Sequence, residues 1–484
     1  MRVEALRGRG EALCAELGRE SYRTGAGLEV ESHYAEIFDR YPDLTAEAAL
    51  EAARGHPALL EWVVDNAVAR AVAPLDDRLH AWEAQAVLTL PGGESLPYQR
   101  AAIAIANEPD RARRLAIDAA RRALLAAPAA LRRERLETER ALLAKLGLGD
   151  VVAARAALSG MDLAALGEAC GRFLAATEDL HRDVLREALE RELGVALADA
   201  DRVDGAVLFR NREFDEYFPA AELVLVARRQ LAAMGLDAEA GGRIRYDTAD
   251  RERKRSRAFC APVKVPDEVY LVIRPFGGQT DYRAFWHELG HAQHFANIAP
   301  ELPFEHRWLG DNSVTEAFAM LFEHMVTAPA WLRRFTTMSA ARRRAFERAQ
   351  AFALLAILRR YAAKLRYELT LYRAASFEEG AASYAPLLSA ATGLRYPAED
   401  ALLDLDDAFY AARYLRAWQL EALLAAALRE RFDVDWFRNP RAGPRLLELF
   451  SHGQRSDATA LAAAELGATL DFAPLVARAE AALA

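Results

Sequence analysis

Cysteine is scarce in this 484-residue chain: Cys14, Cys170 and Cys260 stand far apart. Three isolated thiols build neither a disulfide framework nor a thiolate metal site, and they fit a reducing compartment. No uninterrupted apolar run approaches the roughly 20 residues that cross a bilayer. The stretch Met1 to Glu20 interleaves Arg and Glu with Ala and Leu, without the apolar centre of a secretory leader. The expectation is a cytoplasmic protein with no membrane partner. Positive charge is also in deficit, with a net charge of -9. A phosphate backbone needs clustered cations, so no nucleic acid partner is expected. Arg-rich stretches such as Arg342 to Arg348 alternate with Ala and acidic residues and read as solvated helix faces. A G-x-S-x-G elbow and a G-x-x-x-x-G-K-[ST] loop are both missing, which argues against a serine hydrolase and a phosphate-loop enzyme.

What is abundant is Ala, Leu, Arg and Glu, all strong helix formers, so the chain reads as mainly α. Arg111 to Leu146 is expected to be helical with a break at Pro128. Ser339 to Ala375 lacks Gly and Pro and predicts one very long helix, buried along one side through Ala351, Leu354, Leu358, Tyr361, Leu365, Leu369 and Tyr372. The polar stretch Ala198 to Gly205 is expected to divide an N-terminal helical lobe, 1–200, from a catalytic lobe, 201–484. The clearest strand is Glu268 to Ile273, between Pro266 and Pro275.

Chemistry concentrates in His287-Glu288-Leu289-Gly290-His291. On a helix, residues four apart share a face, so both imidazoles can reach one zinc ion while Glu288 serves as general base towards water. Asn297 stands where a metzincin would have its third His, which excludes that class. The third ligand is expected from the next helix, which Asn312 or Ser313 would cap and on which Glu316 and Glu323 lie two turns apart on one face. Glu316 is the candidate ligand, although Ser313-x-x-Glu316 also fits a capping box. Glu323 is expected to hydrogen-bond a metal-bound imidazole. His294 is expected to pack nearby or make a similar outer contact. The strand suggests Tyr270 and Val272 as contacts for an extended peptide.

These residues resemble the thimet oligopeptidase and oligoendopeptidase F family. The resemblance rests on His287, Glu288, Gly290, His291 and His294, on Glu316 and Glu323, on Ala258 to Val263 before the strand, and on Ala408 to Tyr414. It spans roughly Phe259 to Trp418. It implies a two-lobed helical shell around a deep substrate channel with a small β segment beside the zinc helix. It also implies one zinc ion per chain and cleavage of short peptides. Tyr414, with Tyr410, would bind the tetrahedral oxyanion. A phenol suits that task because it donates without burying a cation, yet two tyrosines one turn apart also suit plain packing. The chain departs from the family in being shorter and in lacking a His before the tyrosines, where Asp404 and Asp406 stand. A carboxypeptidase of the related helical type is the alternative, with Arg413 or Arg416 holding the terminal carboxylate. A non-catalytic zinc-containing peptide-binding protein is a third possibility.

Overall fold

The computed structural model describes residues 1–483. It is mainly helical, with a few short strands and no closed sheet. The elements used below are, in chain order, α1 (Val3–Gly25), α2 (Pro57–Gln85), β1 (Val87–Thr89), β2 (Ser95–Pro97), α3 (Arg111–Leu124), α4 (Arg202–Leu208), β3 (Ile244–Asp247), β4 (Phe259–Lys264), β5 (Glu268–Val272), α5 (Gln279–Ala296), α6 (Asn312–Met325), α7 (Ala340–Arg373) and α8 (Tyr410–Phe432). The break expected at Pro128 falls between Arg111–Leu124 and a helix at Ala129–Lys145. No helix among the described residues is long and apolar enough to cross a membrane.

The chain forms two compact units, each discontinuous in sequence. One holds 1–64, 212–348 and 413–475; the other holds 65–211, 349–412 and 476–484. A linear division at residue 200 is therefore incorrect, and side chains explain why. In the first unit, α1 joins the sheet. Tyr22 stacks on Tyr270 with ring centroids 3.7 Å apart and donates to Asp247 Oδ2 at 3.2 Å. Leu6 and Leu13 share a core with Leu59, Val63 and Phe304. In the second unit, the stretch expected to be a separator is instead tied down. Asp204 is fully buried, accepting from Arg111 Nε and Arg114 Nη2, both at 3.0 Å. Arg121 joins Asp400 at 2.7 and 2.9 Å, which fixes residues near 400 to α3.

The sheet of the first unit has the order β3-β5-β4, with β3 parallel and β4 antiparallel to the central β5. Helix α5 packs beside this sheet and against α6. Gly290 sets the α5–α6 spacing, because a Cβ there would lie 2.6 Å from Ala319 Cα. In the second unit α7 is buried more broadly than one stripe. Arg359, Lys364 and Glu368 are buried together with Leu355, Leu358, Leu365 and Tyr367. Arg359 is satisfied by the carbonyls of Ala391 and Leu174, each at 2.7 Å, and by Thr177 Oγ1 at 2.6 Å. Such a set of acceptors lets a guanidinium sit inside a helical core.

Candidate metal centre

His287 and His291 lie one turn apart on α5, with ring centroids 4.9 Å apart and ring planes crossing at 82°. Glu316 Oε2 lies 3.3 Å from His287 Nε2 and 3.6 Å from His291 Nε2. Zinc bonds of about 2.0–2.1 Å at tetrahedral angles put neighbouring donors about 3.3–3.5 Å apart. The observed separations suit three ligands of one such ion, and they are long for direct hydrogen bonds.

Each imidazole is oriented from behind. His287 Nδ1 lies 3.0 Å from Glu323 Oε2. An ionised carboxylate can only accept, so Nδ1 donates and the Nε2 lone pair faces the common point. Glu323 is steadied by Arg283, whose Nε and Nη2 donate to Oε1 at 3.1 and 2.5 Å. His291 Nδ1 lies 2.9 Å from Thr315 Oγ1, which can accept in the same tautomer. The electrostatics of the side chains alone favour a second proton on His287, which a cation at the common point would replace. Burial would depress His287, yet the carboxylates of Glu316 and Glu323 outweigh it and raise the imidazole to about 10. Burial pushes Glu316 upward, but the charge of His291 and the nearness of His287 pull it well below the usual carboxylate range. Glu323 is held low in the same way, with Arg283 and His287 overcoming desolvation. The residues fit a divalent cation with nitrogen and oxygen ligands, which would displace the second proton of His287 and meet a carboxylate already held ionised.

Helix α6 is capped by Asp311, whose side chain accepts from Ser313 N at 3.0 Å. The cap is therefore one residue before Asn312, and no Ser313–Glu316 capping box forms. Glu316 is left in the helix interior, facing the histidines. Asp311 is itself clamped. Arg416 Nη2 donates to it at 3.1 Å, Arg413 Nη1 lies 3.6 Å away, and the Ala458 N–H donates at 3.0 Å. Arg413 is buried and also pairs with Glu61. The substrate role expected for Arg413 is overturned, since its charge is spent holding the cap of the ligand helix.

Glu288 Oε2 accepts from the backbone N–H of Cys260 on β4 at 2.8 Å. The strand thereby fixes the orientation of the carboxylate that follows His287 in sequence. Nothing in the sequence names this partner, because a backbone amide carries no residue signature. Arg283 did carry a signal, lying four residues before His287 on the same face.

Three expected site residues lie elsewhere. His294 is fully buried among Phe295, Phe318 and Phe450, with centroids 5.6, 5.0 and 5.8 Å away, and burial lowers it to about 3. It is a core packing residue that never faces the metal point. Tyr270 stacks on Tyr22 and is bonded to Arg245 Nη1 and Glu268 Oε1, each at 2.9 Å. Val272 is buried in the sheet. Because β5 is the central strand, both its edges are already paired and it cannot add a peptide strand. On β4, Pro262 has no N–H and its carbonyl faces Gly18 of α1, where a Cβ would come within 2.2 Å. Tyr414 sits near the start of α8, half-buried and tilted against Trp418 at 5.8 Å. Tyr410 begins the same helix and belongs to the second unit, just after Ala408 and Phe409, which hold left-handed φ values of 52° and 56°.

Asp404 and Asp406, near where the resemblance would place a His, are anchors in the second unit. Arg360 grips Asp404 through two 2.7 Å bonds, and Lys364 bonds Asp406 at 2.7 Å. No protein-family profile matches the chain, and no curated protein matches its sequence significantly.

Proposed function

We propose that the protein is a zinc peptidase that hydrolyses short peptides internally, of the kind its motif resembles. The observation that carries this reading is the convergence of two Nε2 atoms and one carboxylate oxygen at ligand spacing, each imidazole backed by its own partner. Zinc bound there would supply a Lewis acid and make a coordinated water acidic near neutral pH. The chain's own groups do the rest. Glu288, aimed by the Cys260 amide, takes the proton of the attacking water and can deliver it to the leaving amine. Thr315 and Glu323 keep the imidazoles in the ligand tautomer. Tyr414 is the phenol assigned to the developing oxyanion.

A structural zinc site would have no use for a carboxylate placed like Glu288, so a purely binding role accounts for less of the geometry. The carboxypeptidase alternative needs a cation for the terminal carboxylate, and both guanidiniums considered for it are engaged with Asp311. The test is Glu288→Gln with metal analysis and mass spectrometry of a digested random peptide pool. One zinc per chain should persist while internal cleavage falls by about four orders of magnitude or more. Cleavage surviving in that variant would overturn the mechanism. Loss of only C-terminal residues from free peptides, but not from amidated ones, would favour the exopeptidase.

A further inference from the structure

Helix α1 and the segment that follows it carry a second set of groups able to hold a metal ion: Glu20, Glu29 and His33. One ligand atom from each lies within 4.8 Å of the others. None of the three belongs to the centre built by α5 and α6.

Glu20 is only 6% exposed, yet no Arg or Lys among the described residues pairs with it. Its Oε1 accepts the His33 backbone N–H at 2.7 Å, and its Oε2 accepts no hydrogen bond. His33 Nδ1 stands 3.4 Å from the same Oε1. That separation is long for a hydrogen bond and matches two donors on one ion. A buried carboxylate with half its acceptors unused is costly until a positive charge reaches it. Glu29 gives its Oε1 to Arg23 Nη1 at 2.9 Å, which leaves the other oxygen. That pair is exposed and worth little, so it can stand beside an ion or yield to it. The side chains of Glu29 and His33 are 33% and 41% exposed, which opens the group to solvent and gives an ion a way in.

The donor set selects the ion. Two carboxylates completed by water suit magnesium, calcium and manganese. The imidazole weighs against magnesium and calcium, which take oxygen, and manganese remains. We propose that Glu20, Glu29 and His33 bind one divalent cation, manganese by preference, and that it staples residues 26–33 to the end of α1. The carbonyls of Gly25 and Ala26 at that end accept from Arg255 N at 2.8 Å and Arg251 Nε at 2.6 Å. The staple therefore also steadies the loop that leads into β4. The inference does not rest on the peptidase reading, since it uses none of the residues on α5 or α6.

The test is titration of the full-length protein, given one equivalent of zinc beforehand, with Mn²⁺, while electron paramagnetic resonance follows the loss of the free-ion signal. One Mn²⁺ per chain should be taken up at concentrations below about 1 mM. His33→Ala and Glu29→Gln, both changes at part-exposed side chains, should each weaken uptake about tenfold or more with an unchanged circular dichroism spectrum. Mg²⁺ should compete at least about tenfold less well than Mn²⁺. His287→Ala should leave this uptake as it was, which separates it from the centre on α5 and α6. The proposal is overturned if no Mn²⁺ binds up to about 1 mM, if His33→Ala and Glu29→Gln bind it as wild type does, or if only His287→Ala loses it. Mn²⁺ uptake is read without any peptide, so a failed peptidase assay would leave this result intact.

Discussion

At the scale of single residues, a metal ligand is only as good as the group behind it. Glu323 is not one of the three proposed ligands, yet it is the group that holds the proton on Nδ1 of His287. Glu323→Gln keeps the shape but can present an N–H to Nδ1, which favours the wrong tautomer. Zinc affinity should fall about 10–100-fold in competition against a chromophoric chelator, with little change in the folded spectrum. An unchanged affinity would remove Glu323 from the site. A second prediction concerns His181, buried in the other unit without a hydrogen bond to Nε2 and lowered by burial, and by Arg359, to about 3. Its folded pKa lies below its unfolded value of about 6.5, so between those limits the unfolded chain binds the extra proton and stability rises with pH. On acidification from pH 7 to pH 5 this one group should cost about 2 kcal/mol of stability. Urea unfolding of wild type and His181→Leu at both pH values checks it: the variant's loss should be smaller by that amount.

At the scale of elements, the site depends on two helices approaching closely enough for a short carboxylate to reach both imidazoles. Gly290 permits that approach. Gly290→Ala should gain a little helix propensity, about 1 kcal/mol, but its methyl would meet the backbone of Ala319. Backbone cannot rotate away as a side chain can, so overpacking of about 1–3 kcal/mol or more should win. The expected outcome is a lower melting temperature together with reduced zinc content; a variant with full zinc and raised stability would refute the packing argument. This scale also shows what could be read in advance. His287, Glu288, His291 and Glu316 were legible because their geometry follows from helical periodicity within two segments. The long helix α7 was legible from its lack of Gly and Pro. Its burial beyond one stripe was not, because Arg359, Lys364 and Glu368 look solvent-facing until their partners are in place: Leu174 and Thr177, 185 and 182 residues from Arg359, Ala391, and the Asp404–Asp406 turn. The Cys260 amide and the central position of β5 were equally hidden, since pairing order is a property of the assembled sheet.

At the scale of the whole chain, local patterns cannot reveal that the first 64 residues belong with the segment of the proposed ligands. Composition does not change sharply at any boundary, and the contacts that define the units join segments more than 200 residues apart. Arg7 meets Glu305, Arg307 meets Glu11, and Tyr22 meets Tyr270. A fragment beginning at residue 201 keeps every ligand proposed on α5 and α6 but loses α1 and, from the second unit, residues 65–200 with the arginines that pair with Asp204 and Asp400. It would expose Phe304, Val263 and the face of Tyr270, and leave the buried Glu305 carboxylate without Arg7. Uncovering such apolar surface costs about 25 cal/mol per Å², and stranding a buried charge costs several kcal/mol more; together these rival the whole stability of a typical domain. The fragment should therefore aggregate or melt without cooperativity, although its motif is complete, and adding a separate peptide of residues 1–64 should restore solubility and zinc uptake in part. Circular dichroism melts and metal content of the fragment, with and without the peptide, decide the matter. A fragment that melts as sharply as the full chain and holds one zinc would mean that α1 is an accessory and that the segment of the proposed ligands folds alone.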